Sequence, residues 1–212
     1  MDHRERITEA AAVLFMKFGI RAVTMDSIAH QLGMSKRTIY EYFVNKDELL
    51  VSVINNMAAK QRNVFMKIMD ESDNVIEAIF EMLRIASFHF NNTNPTYFVD
   101  LKKYHYKVYE MICQKGDIKN FEMSLAMLRR GVEEKIFRDD INIEIVNAGI
   151  HSVIDSTRDN DDLPPEKYSR FEIIDNLLFN YLIGISTAKG QKLINKYKEQ
   201  KKIELNAWNN EN

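Results

Sequence analysis

Between Ser35 and Lys46 the chain sets Lys36, Arg37, Thr38, Tyr40 and Tyr42 within about two turns of helix. These side-chain types can contact a nucleic-acid duplex. A guanidinium forks onto guanine O6 and N7, and a threonine or tyrosine meets a thymine methyl or a phosphate. As isolated residues they describe any solvated helix face, since lysine and arginine are common there. Their order argues for more. Thr24 can cap a helix by accepting backbone N–H bonds, with Asp26 in its positive first turn. Ile28, Ala29 and Leu32 recur at helical spacing, and Gly33 supplies the left-handed backbone that ends the run. Ser35 is a second cap, opening a helix through Phe43. Ile39 and Phe43 stand four apart and share the inward face, which leaves Lys36, Arg37, Thr38 and Tyr40 at the outward N-terminal end. This is the helix-turn-helix pattern, whose second helix enters the major groove. Lys46 begins another helix, where its ammonium and the backbone N–H groups can hold a phosphate.

The element that supports these residues is a first helix over about Arg4–Phe18, with Ile7, Ala11, Leu14 and Phe15 on one stripe. Gly19 ends it, and the stripe closes a three-helix core over Val23, Ile28, Leu32, Ile39 and Phe43. A unit this small, without disulfide or metal ligands, must lean on the helix from Lys46 onward. Moving that helix would then move the reading helix.

From Arg4 to Leu50 the chain resembles the DNA-binding domain of the TetR family of bacterial transcriptional regulators. The resemblance rests on Ile7, Ala10, Ala11, Leu14, Phe15 and Gly19 in the first helix. It continues through Thr24, Ile28, Ala29, Gly33, Ser35, Thr38, Ile39, Tyr40, Tyr42, Phe43, Lys46, Leu49 and Leu50. Arg37 stands where the family often has a small residue, and Glu41 follows the signature tyrosine. Both lie on the reading helix and bear on which operator is bound.

Composition sets the outer limits. A chain of 212 residues can bury a substantial core in one or two domains. With 45% hydrophobic and 28% charged residues it reads as a globular protein. Seven glycines and three prolines argue against a β architecture full of tight turns, so an all-α fold is expected. The single cysteine, Cys113, excludes an intramolecular disulfide and fits a reducing cytoplasm. No export signal or membrane-spanning run is recognised. Net charge is −2, and between Met1 and Leu50 seven basic residues are matched by seven acidic ones. DNA binding would therefore depend on local placement rather than on a general positive field.

Beyond Val51 the pattern stays helical. A helix over about Asp47–Met69 should break at Asp70–Asp73, with Ser72 or Asp73 capping the next helix to about Phe90. Asn91–Pro95 reads as a loop, and helices are expected at Tyr97–Gln114, Asp117–Phe137, Asn142–Thr157 and Glu166–Thr187. Gly116 and Gly131 read as punctuation, and Asp159–Pro165 as a turn. Two stripes resemble a dimer interface: Ile143, Val146, Ile150 and Ile154, then Ile173, Ile174, Leu177, Leu178, Tyr181, Leu182 and Ile185. Two such helices from each subunit make a symmetric four-helix bundle. The alternative is a monomer whose core uses both stripes. Phe88, His89, Tyr97, Phe98, Tyr104, His105, Tyr106, Tyr109, Met111, Phe121, Met123 and Met127 give the middle helices an aromatic and methionine wall. Singly each fills core; as a group, and because this region is the inducer-binding domain of the family it resembles, they imply a ligand pocket.

No catalytic or metal site is expected. None of the five histidines stands in an HExxH or zinc spacing, and no phosphate loop or dinucleotide fingerprint is present. His151 and Asp155, one turn apart, read as a helix-surface pair. The lysine-rich tail after Gly190, ending near Trp208, is either an extra helix or a solvated extension.

These readings divide the chain into a DNA-binding domain over 1–46, a ligand-binding and dimerisation domain over 47–190 and a basic extension over 191–212. The resemblance implies a cytoplasmic homodimeric repressor that needs no cofactor and has no membrane role. Its DNA contacts would be Thr24, Ser35, Lys36, Arg37, Thr38, Tyr40, Tyr42 and Lys46, on a palindromic double-stranded operator. A small, largely apolar effector would release it. Two other readings stay open: control by a protein partner, or a helical small-molecule-binding protein with a vestigial DNA head.

Overall fold

Eleven α-helices and one isolated antiparallel bridge, Phe137 to Ser186, make up the regular structure of the described residues. The computed structural model describes residues 2–114, 121–156, 167–168 and 170–210. The fold is all-α. The chain forms two compact units, each of them discontinuous in sequence.

The first unit comprises Met1–Val64 and Ala86–Lys119. It contains α1 (His3–Phe18), α2 (Met25–Leu32), α3 (Lys36–Tyr42), the start of α4 (Lys46–Glu71), the end of α5 (Val75–Asn91), α6 (Thr96–Tyr104) and α7 (Tyr106–Gln114). Ile7, Phe15, Ile28, Ile39 and Phe43 are completely buried, while Leu14 and Leu32 are half-buried at the edge of the same core. Leu49, Leu50 and Val53 of α4 close it from below the reading helix. Tyr97, Leu101 and Val108 complete it from α6 and α7. A fully buried side chain of this size contributes about 1.5–3 kcal/mol. Three of them matter to a head that would be marginal with three helices alone.

Polar contacts fix α6 against α1. The Asn94 amide N–H and side-chain Nδ2 donate to Met16 O at 2.7 Å and Lys17 O at 3.2 Å, satisfying carbonyls at the end of α1. Gly19 ends α1 with φ +82°, and a Cβ there would lie 2.2 Å from Thr96 Oγ1. The Arg21 N–H donates to Asp100 Oδ2 at 2.7 Å, which gives this buried carboxylate a partner.

The single helix expected over Tyr97–Gln114 is two. His105 leaves helical geometry (φ −127°, ψ 43°) and its Nδ1 lies 2.5 Å from Asp47 Oδ1 at the start of α4. A hydrogen bond to a residue 58 positions away leaves no trace in local periodicity.

The second unit comprises Phe65–Ile85 and Asn120–Asn212, with α8 (Phe121–Glu133), α9 (Ile143–Ser156), α10 (Arg170–Ile185) and α11 (Ala188–Asn210). Its core includes Val75, Ile76, Phe80, Leu128, Phe137, Phe179 and Ile194, with the Phe80 and Phe179 rings stacked at 4.9 Å. Arg130 donates to Met69 O at 2.5 Å and Ser72 O at 2.7 Å, satisfying the carbonyl end of α4. The cap of α5 is Asn74, not Ser72 or Asp73. Its Oδ1 accepts the Glu77 N–H at 3.1 Å while Glu77 reaches back to the Asp73 N–H at 2.8 Å. Gly131 lies within α8 rather than ending it, and a Cβ there would stand 2.1 Å from the Phe137 ring. The chain after Gly190 continues as helix, with Ile194 fully buried. The side chains of Phe90, Cys113, Ile154, Asp155, Ile174 and Trp208, together with Gly116 and the Asp159–Pro165 turn, lie outside the described residues.

Candidate nucleic-acid interface

The turn between α2 and α3 is built as its residues dictate. Thr24 Oγ1 accepts the Ser27 N–H at 3.0 Å and Ser27 Oγ accepts the Thr24 N–H at 2.9 Å, a reciprocal capping box. Gly33 closes α2 in the left-handed region at φ +64°, with its N–H on the Ala29 and His30 carbonyls. Ser35 Oγ accepts the Thr38 N–H at 3.1 Å and lies 2.8 Å from Thr38 Oγ1, so both hydroxyls are held at the first turn of α3. Ile39 and Phe43 are completely buried on the inner face. The outer face of α3 is thereby fixed in rotation.

On that face Arg37 is the most open of the basic groups, with 89% of its side chain exposed. Its Nε donates to Glu41 Oε1 at 3.2 Å. Lys36 Nζ lies 3.0 Å from Asp26 Oδ2 across the turn and 5.9 Å from the Tyr40 ring centroid. The hydrogen bond to Asp26 and its charge raise the Lys36 pKa, so the ammonium keeps its proton. Tyr40 is exposed and Thr38 half-buried. Lys36, Arg37, Thr38 and Tyr40 therefore converge on one outward surface, while Thr24 serves as a cap beside it.

Tyr42 and Lys46 are placed differently. Tyr42 is half-buried against the core, its carbonyl accepts from Arg4 Nη1 at 2.8 Å, and its ring lies 5.9 Å from that of His3. Lys46 is half-buried with Nζ 5.7 Å from the Phe15 ring centroid. Burial pulls its pKa down, and the charges of Asp100 and Asp47 oppose that fall. Its ammonium is thus partly committed to the protein.

Three residues outside the expected set shape the surface. Arg4 lies with its guanidinium 4.3 Å over the Phe43 ring and donates to Glu48 at 3.1 Å. Asn45 Oδ1 accepts the Glu48 N–H at 2.9 Å and Glu48 Oε2 accepts the Val44 N–H at 2.9 Å, which caps α4. The Val44 and Arg4 donors hold the Glu48 carboxyl below its ordinary range. The Asn45-x-x-Glu48 spacing carried that signal; the approach of Arg4, 44 residues away, carried none.

The expected pocket residues spread over both units. In the first unit Tyr97 is buried and Tyr109 half-buried, whereas Phe88, His89, Tyr104 and Tyr106 are exposed. Tyr104 accepts a hydrogen bond from Arg21 Nη1 at 3.0 Å. In the second unit Phe121, Met123 and Met127 are half-buried. Beside them Ser124 Oγ lies 2.7 Å from His151 Nε2 and donates to Asn147 Oδ1 at 2.6 Å, with the His151 ring stacked on Phe121 at 5.1 Å. His151 is thus engaged with α8.

Of the expected interface stripes, Ile150, Ile173, Leu178, Leu182 and Ile185 are buried within the second unit. Ile143, Val146 and Tyr181 are half-buried there, and the Tyr181 hydroxyl donates to Val146 O at 3.2 Å. Leu177 and Ile145 face outward, 41% and 69% exposed. Among the described residues no cluster of metal-ligating side chains occurs, and no helix is long and apolar enough to cross a membrane.

Residues 7–53 match the model of the bacterial regulatory proteins of the tetR family. An uncharacterised HTH-type transcriptional regulator of Bacillus subtilis, YvaF, is 31% identical over 62% of this chain and 71% of its own length. The HTH-type transcriptional repressor KstR2 of Mycobacterium tuberculosis is 26% identical over 68% and 74%. The structure of Thermus thermophilus FadR, a TetR-family repressor in complex with lauroyl-CoA, superposes with a TM-score of 0.59 at 17% identity, covering 87% of this chain and 96% of that one. Its likeness is one of fold. The capped helix-turn-helix, the family match over it and the extended relationship to YvaF together identify the chain as a member of the TetR family of bacterial regulatory proteins, a helix-turn-helix transcriptional regulator.

Proposed function

We propose that the protein is a homodimeric repressor whose α3 helices occupy successive major grooves of a palindromic operator, and that a small, largely apolar effector releases it. The observation that carries the DNA reading is the exposure of Lys36, Arg37 and Tyr40 on a face whose rotation Ile39 and Phe43 fix. In this reading Lys36, Arg37 and Thr38 meet bases and phosphates. Thr24, Ser35 and Tyr40 steady the backbone contacts. Tyr42 and Lys46 act mainly from behind, by holding the start of α4 against the head. The protein is a regulator and not an enzyme.

Dimerisation is supported by the outward Ile145 and Leu177, large apolar side chains beside a core already filled by the inward half of each stripe. A two-fold assembly also suits half-sites one helical turn apart. Effector binding is supported by the half-buried Phe121, Met123 and Met127 next to the Ser124–His151 polar pair, an apolar wall with an orienting group. The FadR relative, which holds lauroyl-CoA, makes acyl thioesters the first probes. An effector acts by binding one conformation more tightly than the other, and that difference sets the loss of DNA affinity.

Selection of duplexes from a random pool with the pure full-length protein tests the core of the reading. It should enrich a palindrome, and an unenriched pool would overturn it. Adding acyl-CoA should raise the apparent melting temperature and release the selected duplex. A screen in which no apolar ligand shifts melting, while a partner protein releases the DNA, would replace the effector with that partner.

A further inference from the structure

The reading helix carries a carboxylate, which is costly beside a polyanion. Glu41 stands one turn after Arg37 on the outer face of α3, and both side chains are more than half exposed. The geometry of their pair is specific. Glu41 Oε1 accepts from Arg37 Nε, not from the terminal amino groups. A guanidinium held by its Nε is fixed in plane and presents its two Nη groups end-on, as a fork needs for guanine O6 and N7.

We propose that Glu41 is the positioning residue for Arg37: by holding Nε it fixes the plane of the guanidinium and makes the fork selective for a guanine in each half-site. The inference rests on α3 being the DNA-reading helix. Exposed ion pairs stabilise a protein little, so the pair is poorly explained as a device of stability. Before binding it lowers the attraction of the head for arbitrary phosphates, since the Arg37 charge is balanced one turn away. At a matching base the Nη groups engage while Nε stays on Glu41, so no exchange of partners is required. At a wrong base the guanidinium must leave Glu41 to reach a phosphate, which sets the unpaired carboxylate against the backbone. The Lys36–Asp26 pair lacks this property, because an ammonium has no plane to fix.

The test uses duplex selection and titration with the full chain as wild type, Arg37→Ala, Glu41→Ala and Glu41→Gln. Glu5→Gln serves as a control that removes the same charge from the first turn of α1. Arg37→Ala should relax one guanine per half-site and weaken the selected duplex by about 5- to 150-fold. Glu41→Ala should relax that same position and no other. Glu41→Gln should keep it, because the amide oxygen still accepts from Nε, while binding random duplex more tightly than either wild type or Glu5→Gln. Retention of the guanine in Glu41→Ala would overturn the proposal. So would relaxation at a different base, which makes Glu41 a direct reader, or an equal gain for every sequence, which makes it a bulk charge. An unchanged selection by Arg37→Ala removes Arg37 as a reader and this role with it. A wild type that enriches no sequence instead removes the functional reading on which both depend.

Discussion

Gly19 and Gly33 both take positive φ, yet their side-chain space differs. A Cβ on Gly33 would meet nothing within 4 Å, whereas one on Gly19 would collide with Thr96 Oγ1 at 2.2 Å and press on Asp100. Gly33→Ala should therefore cost only the left-handed backbone term, about 1–2 kcal/mol, and Gly33→Asn less. Gly19→Ala adds displacement of α6 to the same strain. Thermal or urea unfolding should rank the variants Gly33→Asn, Gly33→Ala, Gly19→Ala in falling stability. An equal loss for both alanine variants would show that α6 yields freely. Much at this scale was legible. Thr24, Gly33 and Ser35 act where their types and spacing placed them, because capping is decided within four residues. Asn74 was passed over for its neighbours Ser72 and Asp73, since all three are good caps and only the reach of Glu77 separates them.

At the scale of elements, α3 is a seven-residue helix held by burial on one side, and too short to be stable alone. Its support extends beyond α1 and α2 to α6, through buried Tyr97, Leu101 and Asp100. Removing the Asp100 carboxylate (Asp100→Ala) leaves the Arg21 N–H without its acceptor and should cost about 1–3 kcal/mol. Denaturant titration measures it, and a loss below about 0.5 kcal/mol would mean that water replaces the carboxylate. Burial pushes the Tyr97 hydroxyl up to about 12, against about 10 for a free tyrosine. The folded state keeps this proton longer than the unfolded chain does. The stabilisation is therefore complete below about pH 10 and is lost as pH rises toward 12. Tyr97→Phe should flatten the fall of stability across that window by up to about 2 kcal/mol relative to wild type. Parallel curves for the two proteins would place the alkaline transition elsewhere. The helices themselves were legible from apolar spacing. The break at His105 was not, because its cause is Asp47 on a different helix.

At the scale of the molecule, the outward Ile145 and Leu177 predict association. Replacing both with glutamate should convert a dimer into a folded monomer by sedimentation, and should weaken operator binding far more than the affinity of one head for a half-site. A wild type that sediments as monomer at micromolar concentration would end the dimer proposal. The two stripes were visible in sequence; their division between inward core and outward face was not, since periodicity marks apolar faces without saying which neighbour covers them. The discontinuity of the first unit bears on how regulators of this kind can be recombined. Its core closes only when Tyr97, Leu101 and Val108 arrive from more than forty residues downstream of Leu50. A chimera joined just after the reading helix would inherit the wrong underside for its head. Such a hybrid should express poorly or melt early, and transplanting residues 86–114 together with 1–64 should restore it. The transferable part is then two stretches of sequence, inherited as one structural cassette.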